Sequence, residues 1–475
     1  MNRKKTHTGN LINRGRGNSG AAFLKAGFLL GGLVGLTALS QAQTAAPAAD
    51  DSITWHGITL YGIVDLGLQY DTHAAPVNDY FPAGTADIIQ KNGNGSVTGV
   101  TPNNLSQSRI GLKGAEPLVG DWSAVFKVET FFNPQSGDIS DGLKSIVQNN
   151  GRALDAQTTN IDTSVAGQLF QQSYAGFSSP SFGTLTFGRQ NTLLADGIAK
   201  YDPEGASQAF SLIGLSGTTA GGGDTQDRRL DESFKYIANF SGVHVGALYK
   251  LNGSSGSANS ALQFQLGADY AGLAVDAYYS KVNDAVSVSA LSAAQVTGLA
   301  ALGFSSNNSL TATITDNTSY SVMASYNFGA PKIFAGYEHI QYADPSQALP
   351  VGFSDIGGYV LAYVNNAPYK GPDKVLQVYW AGLKYAVASN VDVTIAYYGY
   401  NQNSYATGAD AGCSSTVAGS CSGTLNAFSL AADYRFTKRF DGYAGFMWSG
   451  VKNGLANGYL NTSNVNPTIG VRYQF

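Results

Sequence analysis

The sequence predicts an all-β fold, a transmembrane antiparallel barrel of about sixteen strands of about ten residues each. Three observations predict it. Charged residues are only 13% of the 475-residue chain, while it holds 58 Gly, 27 Tyr and 23 Phe. Successive segments alternate polar and apolar residues with period two. Between these segments short and long connections take turns along the whole chain. A charged side chain on the lipid face costs about 2–4 kcal/mol at mid-membrane, so the charged faces must look into a watery interior. A soluble sandwich gives the same alternation, but it has no reason to place every second connection on one side as a long loop.

The chain opens with a basic, acid-free leader carrying Arg3, Lys4, Lys5, Arg14, Arg16 and Lys25. The apolar run Ala26–Leu39 follows, then the small residues Ser40 and Ala42 at cleavage-site spacing. This is the pattern of a secretory signal peptide over residues 1–42, leaving residues 43–475 as a single barrel domain. The chain carries 28 basic and 32 acidic residues, so without the six basic residues of the leader the remainder has a net charge of −10. That balance argues against a nucleic-acid partner. Beyond the leader no apolar run approaches about 20 residues, which excludes helical spanning.

The alternation is readable strand by strand. Trp122, Ala124, Phe126 and Val128 oppose Ser123, Lys127 and Glu129. Val391, Val393, Ile395 and Tyr397 oppose Asp392, Thr394 and Ala396. Phe428, Leu430, Ala432, Tyr434 and Phe436 oppose Ser429, Asp433 and Arg435, and Ile469, Val471, Tyr473 and Phe475 oppose Gly470, Arg472 and Gln474. Short turns are expected at Glu116–Asp121, Ser179–Phe182, Phe240–Val243, Ala271–Gly272, Gly329–Pro331, Val387–Asn390 and Thr437–Arg439. The long loops between them belong on the outer side, with both ends of the mature chain at the periplasmic face. The Ser/Thr/Ala-rich stretch Asn283–Asn317 is expected to be a mobile surface loop.

The third long connection, Asn191–Asp231, organises the rest. It is too long for a tight turn and too rich in Gly, Ser and Thr for a core helix, and such loops are usually functional or disordered. It holds Asp202 and Glu204 in the run DPEG and the pair Arg228 and Arg229 near its end. It is expected to fold into the lumen and narrow the pore. For the carboxylates the plainer alternatives are a helix cap or a solvated loop surface; for the arginines, rim residues binding lipopolysaccharide phosphates.

The only two cysteines, Cys413 and Cys421, lie eight apart in a Gly/Ser/Thr segment. In an exported chain they are expected to form a disulfide. No enzyme is indicated. His56, His73, His244 and His339 are scattered, no HExxH or GxSxG motif occurs, and Gly221–Gly223 lacks the Lys-Ser/Thr of a phosphate loop. No cofactor or metal is expected.

Several segments together resemble the general, non-specific trimeric porins of Gram-negative bacteria, in the branch typical of β-proteobacteria. They are Thr59–Gly67 (TLYGIVDLG), Ser108–Glu116 (SRIGLKGAE), Phe126–Glu129 (FKVE), Phe182–Gln190 (FGTLTFGRQ), Arg229–Tyr236 (RLDESFKY) and the terminal Arg472–Phe475 (RYQF). The resemblance covers nearly the whole mature chain. It implies an outer-membrane homotrimer for passive diffusion of small hydrophilic solutes and ions, pinched by the third loop; the alternative is a substrate-specific outer-membrane channel. It implies contact with outer-membrane lipid, lipopolysaccharide and the barrel assembly machinery, which reads a terminal aromatic such as Phe475. It places Arg109 and Glu129 on the pore wall, Glu204 on the loop, and Arg228 or Arg229 where the sixth strand begins. Opposed charges across such a constriction orient dipolar solutes and filter ions. Gln172 departs from the pattern, standing where many relatives carry a basic residue. Arg189 is a further candidate, though alternation puts it on the face of Leu185 and Phe187.

Overall fold

The computed structural model describes residues 53–74, 95–135, 137–139, 170–214, 229–251, 260–289, 292–303, 309–348, 354–356, 359–366, 369 and 371–475. These belong to one compact unit, Ser52–Phe475. The expected leader and Arg228 lie outside the described residues.

Sixteen strands form the wall. They are β1 Ile58–Ala74, β2 Gly95–Pro102 continuing after a break as Arg109–Pro117, β3 Ser123–Asn133, β4 Gln172–Ser179, β5 Gly183–Asn191, β6 Arg229–Phe240, β7 Val243–Lys250 and β8 Ala261–Tyr270. The second half is β9 Leu273–Ser289, β10 Ser309–Asn327, β11 Pro331–Ala343, β12 Lys374–Ala388, β13 Val391–Gln402, β14 Gly423–Arg435, β15 Phe440–Asn453 and β16 Thr468–Gln474. Each strand pairs antiparallel with the next, and β16 returns to β1 with Ile63 opposite Gln474 and Gln69 opposite Thr468. Closure satisfies the edge strands, a requirement where no water can reach the backbone. Among the described residues no helix is long and apolar enough to cross a membrane.

All seven short turns fall where the sequence places them. The lipid face carries Val64, Leu68, Phe264, Tyr320, Ile395 and Phe428, each more than a third exposed. At the seam Phe475 N–H donates to Gly62 O at 3.1 Å, and Gly62 N–H donates back to Phe475 O at 2.9 Å. The Phe475 ring lies where a Cβ on Gly62 would stand, 2.3 Å from it, so this site requires glycine.

Two expectations need correction. The stretch Asn283–Asn317 is not simply a loop: β9, 17 residues long, continues into it as far as Ser289, and β10, 19 residues long, starts within it at Ser309. A short helix, Ala293–Ala301, sits at its tip, started by a capping box of Ser292 and Gln295. Alternating Ser/Thr and Val residues suit a strand as well as a loop, and composition alone did not separate them. The third connection also begins with a helix, α1 (Leu193–Tyr201), despite its Gly/Ser/Thr content. Thr192 caps α1 by accepting from Ala195 N–H at 3.1 Å. Asp196 in its first turn and Lys200 in its last complement the helix dipole.

The interior is not uniformly polar. Leu193, Leu194, Ile198, Tyr201 and Leu212 of the third connection pack on Leu248, Tyr278, Met323, Val378, Trp380, Tyr398 and Met447 of the wall. Strands β7 to β15 therefore carry apolar side chains on both faces where the loop covers them.

Candidate functional site: the constriction and its basic wall

The third loop is rooted at β5 and lies along the inner wall from β7 round to β1. Its contacts follow in chain order. Leu193 N–H donates to Gln263 Oε1 at 2.8 Å, and Trp380 Nε1–H donates to Tyr201 O at 3.0 Å. Pro203 sits against Gly382, where a Cβ would stand 2.3 Å from its ring. Ser207 Oγ–H donates to Asn104 O at 2.7 Å, and Asn466 Nδ2–H donates to Ala209 O at 2.9 Å. Phe210 meets Tyr443 edge to face at 6.3 Å. Among the described residues, the loop leaves a gap beside Arg109 and Phe131 of β2 and β3 and Arg229 of β6.

The gap there has a volume of about 180 Å³. Arg109, Phe131 and Arg229 line it from the wall, and Ala195, Ala199, Gly205, Ala206 and Gln208 line it from the loop side. The Arg229 guanidinium lies over the Phe131 ring, 4.6 Å from its centroid, a cation–π arrangement that also fixes its direction. On the periplasmic side of the gap, with Asn191 on the border of both, lies a chamber of about 570 Å³ bordered by Lys113, Lys127, Tyr174, Asp196 and Lys235.

Glu129 is on the wall as expected but is not exposed to the passage; it is 1% exposed. Tyr61 OH and Gln172 Nε2–H both donate to it at 2.9 Å, Lys127 Nζ lies 3.3 Å away and Arg109 Nε 3.8 Å away. It is a buried hub that orients its neighbours. Gln172, the departure from the family pattern, is part of this hub and holds the carboxylate from β4.

Neither loop carboxylate is among the residues lining the gap beside Arg109. Asp202 is 2% exposed and accepts from Tyr398 OH and Ala206 N–H, each at 2.6 Å. Burial pushes its carboxyl up from the usual range, against these donors. Its role in this geometry is to close the DPEG turn and hold it to β13. Glu204 is half-buried, and its Oε1 is buried with no hydrogen-bond partner. Burial, and then the adjacent Asp202, push Glu204 well above the ordinary carboxylate value, while Lys384 pulls the other way. A four-residue resemblance carries no information on which way these side chains turn; the apolar packing of Tyr201 and Leu212 on the wall and the bond to Tyr398 hold Asp202 against β13. Arg189 keeps its outward parity and pairs with Asp231 beside a bulge in β6.

Lys113, Lys127, Asp196 and Lys235 are not among the site residues expected from the sequence, although Lys127 shares the inward face of Glu129. Parity could have found the first two, since Lys113 shares a face with Arg109 and Lys127 with Glu129. Asp196 and Lys235, which pair with each other, required the position of α1.

Comparisons with known proteins bear on the family and the fold. The family profile described as Gram-negative porin matches residues 34–454. An outer membrane porin protein of Bordetella pertussis is 28% identical over 184 residues, covering 38% of this chain and 37% of that one. Outer membrane porin protein 32 of Delftia acidovorans is 24% identical over 288 residues, covering 60% of this chain and 64% of that one. The matches thus span under two thirds of either relative's length. Among solved structures, an anion-selective porin from Comamonas acidovorans matches with TM-score 0.57 and 17% identity, over 88% of this chain and 99% of that one. Outer-membrane expressed OmpT of Vibrio cholerae matches with TM-score 0.53 and 16% identity, over 90% and 100%. At these identities the two structures speak for the fold.

Proposed function

This chain belongs to the Gram-negative porin family, and from that premise we propose that it is a passive diffusion channel of the outer membrane that favours small hydrophilic anions. The observation that carries the preference is the imbalance of charge at the constriction. Arg109 and Arg229 border the gap, Lys113 and Lys127 border the chamber beneath it, and the nearest wall carboxylate, Glu129, is buried among them. Among the described residues the loop side of the gap is small and neutral. Rings of fixed charge and pore radius set selectivity, and here the fixed charge facing the passage is positive. The Comamonas protein's description as anion-selective supports the same reading.

The protein acts as a channel rather than as an enzyme, and its place is the outer membrane. A homotrimer is the assembly we infer. The OmpT structure from Vibrio cholerae described as a trimer form shares the fold at TM-score 0.53, and an apolar groove of about 580 Å³ on the outer wall, bordered by Phe126, Phe177 and Phe187, offers a face for a second copy. Solutes, outer-membrane lipid, lipopolysaccharide and the assembly machinery are the remaining partners we infer. Reversal potentials of the reconstituted protein in a potassium chloride gradient test the function. Current with a reversal potential on the chloride side is expected; a cation preference would overturn the charge argument, and absence of any current would overturn the channel.

A further inference from the structure

We propose that Lys113 and Lys127 form a station for a small divalent oxyanion in the chamber on the periplasmic side of the constriction. The proposal rests on the channel reading and adds a ligand to it.

Lys113 on β2 and Lys127 on β3 are direct cross-strand partners, and both border the chamber. Like charges directly opposite each other on one face destabilise a sheet, so stability does not account for the pair. The two ammonium groups share one aromatic neighbour. Lys113 Nζ lies 5.5 Å, and Lys127 Nζ 5.6 Å, from the centroid of the Tyr61 ring. Lys127 reaches Glu129 at 3.3 Å, but that carboxylate also lies near Arg109 and already accepts from Tyr61 and Gln172. Among the described residues Lys113 has no carboxylate within ion-pair distance. Asp196, across the chamber, is held by Lys235 and leaves the surplus at Lys113 and Lys127 uncompensated.

One buried carboxylate therefore stands among four cationic side chains, Arg109, Lys113, Lys127 and Arg229, and a ligand of charge −2 offsets most of the excess. Each lysine offers three rotatable N–H donors, so one ligand oxygen can be taken by each ammonium. The chamber, at about 570 Å³, is in the size range of small-molecule sites. Gln172 and Tyr174 on its border supply further polar groups. The shared chemistry is a dianion with oxygens presented to two points, met by a phosphate group or by a dicarboxylate.

The test uses the full-length protein in planar bilayers in potassium chloride, at mildly alkaline pH where inorganic phosphate is divalent. Added phosphate is expected to lower the chloride current saturably. Lys113→Gln should weaken that effect by about tenfold, the size of one lost charged contact, while Lys113→Arg retains it. Lys438→Gln, on a periplasmic turn, should leave it unchanged. Succinate in a parallel series separates the sources: equal potency supports two-point recognition of any dianion, and phosphate alone supports a tetrahedral oxyanion. Because removing Lys113 relieves repulsion, Lys113→Gln should be at least as heat-stable as the wild type. A chloride current indifferent to phosphate, or equal inhibition of wild type and Lys113→Gln, overturns the proposal while leaving the channel intact. No current at all overturns the channel reading, and this proposal with it.

Discussion

Tyr398 on β13 donates its phenolic hydrogen to Asp202 Oδ1 at 2.6 Å, between residues 196 apart in sequence. The bond joins the constriction loop, rooted at β5, to a strand eight places further round the sixteen-stranded wall. Both partners are buried, so neither finds water when the other leaves. The loop's position, and with it the width of the gap beside Arg109, depends on such fixed points.

Tyr398→Phe is expected to destabilise the loop's docking by about 1–3 kcal/mol, since it removes one donor from a buried carboxylate. The barrel should still assemble, because its strand pairing is untouched. Single-channel current should become noisier, with added subconductance levels. Recordings as quiet as those of the wild type would show that Asp202 is not a principal anchor.

Glu204 gives a pH dependence with a definite sign. Its carboxyl titrates in the folded protein well above the ordinary value of 4.5. The folded state then holds a proton that the unfolded state releases, so stability falls as pH rises between the two values. The contribution is fully present below about pH 4.5 and is lost as pH rises through the folded value. Glu204→Gln should flatten this slope and raise the melting temperature relative to the wild type at neutral pH. Parallel melting curves for the two proteins across the acid-to-neutral range would contradict the burial of this carboxyl.

Arg109→Gln and Arg229→Gln should each shift the reversal potential toward cations. One unit charge about 8 Å from a permeating ion in water contributes about 0.5 kcal/mol, or about twofold in the ion's local concentration. Each substitution should therefore reduce the anion-to-cation ratio by about that factor. Glu129→Gln should shift it little through its own charge, because that carboxylate is enclosed, but it should loosen Lys127 and Arg109. A shift from Glu129→Gln as large as from Arg109→Gln would mean that Glu129 faces the passage.

At the seam, Gly62→Val should hinder closure because its side chain would occupy the place of the Phe475 ring. Deleting Phe475 should reduce insertion into the outer membrane by removing both that ring and the two backbone bonds to Gly62. The check is the amount of folded, heat-modifiable protein in outer-membrane fractions. Wild-type amounts in both variants would remove the seam from the assembly pathway.

The Cys413–Cys421 disulfide, with Cα atoms 5.0 Å apart, pins a loop whose backbone bonds Gln402 and Tyr405. Reduction should release this loop with a loss of at most about 2–3 kcal/mol, leaving the barrel folded. Mass spectrometry of protein isolated without reductant should show no free thiol, and strand content by circular dichroism should survive reduction.

The wall was legible from the order of residues alone. Whether a side chain faces lipid or lumen is settled within two residues by the pleat, so Glu129 and Arg472 could be placed inward and Phe428 and Ile469 outward from parity alone. The alternation of short and long connections likewise set strand number and the side bearing the loops. What occupies the lumen emerged only in the folded chain. Asp202 and Glu204 are equivalent in sequence, two acids in one turn, yet one is a bonded anchor and the other holds an unpartnered buried oxygen. Glu129 looked like half of a transverse field and is the enclosed hub of a basic cluster. Asp196 looked like any loop acid and is the partner of Lys235. The reason is one of range. Strand parity is a local steric property, whereas the loop's path is set by apolar packing on β7 to β15 and by bonds such as Tyr398–Asp202, between residues that only the closed barrel brings together.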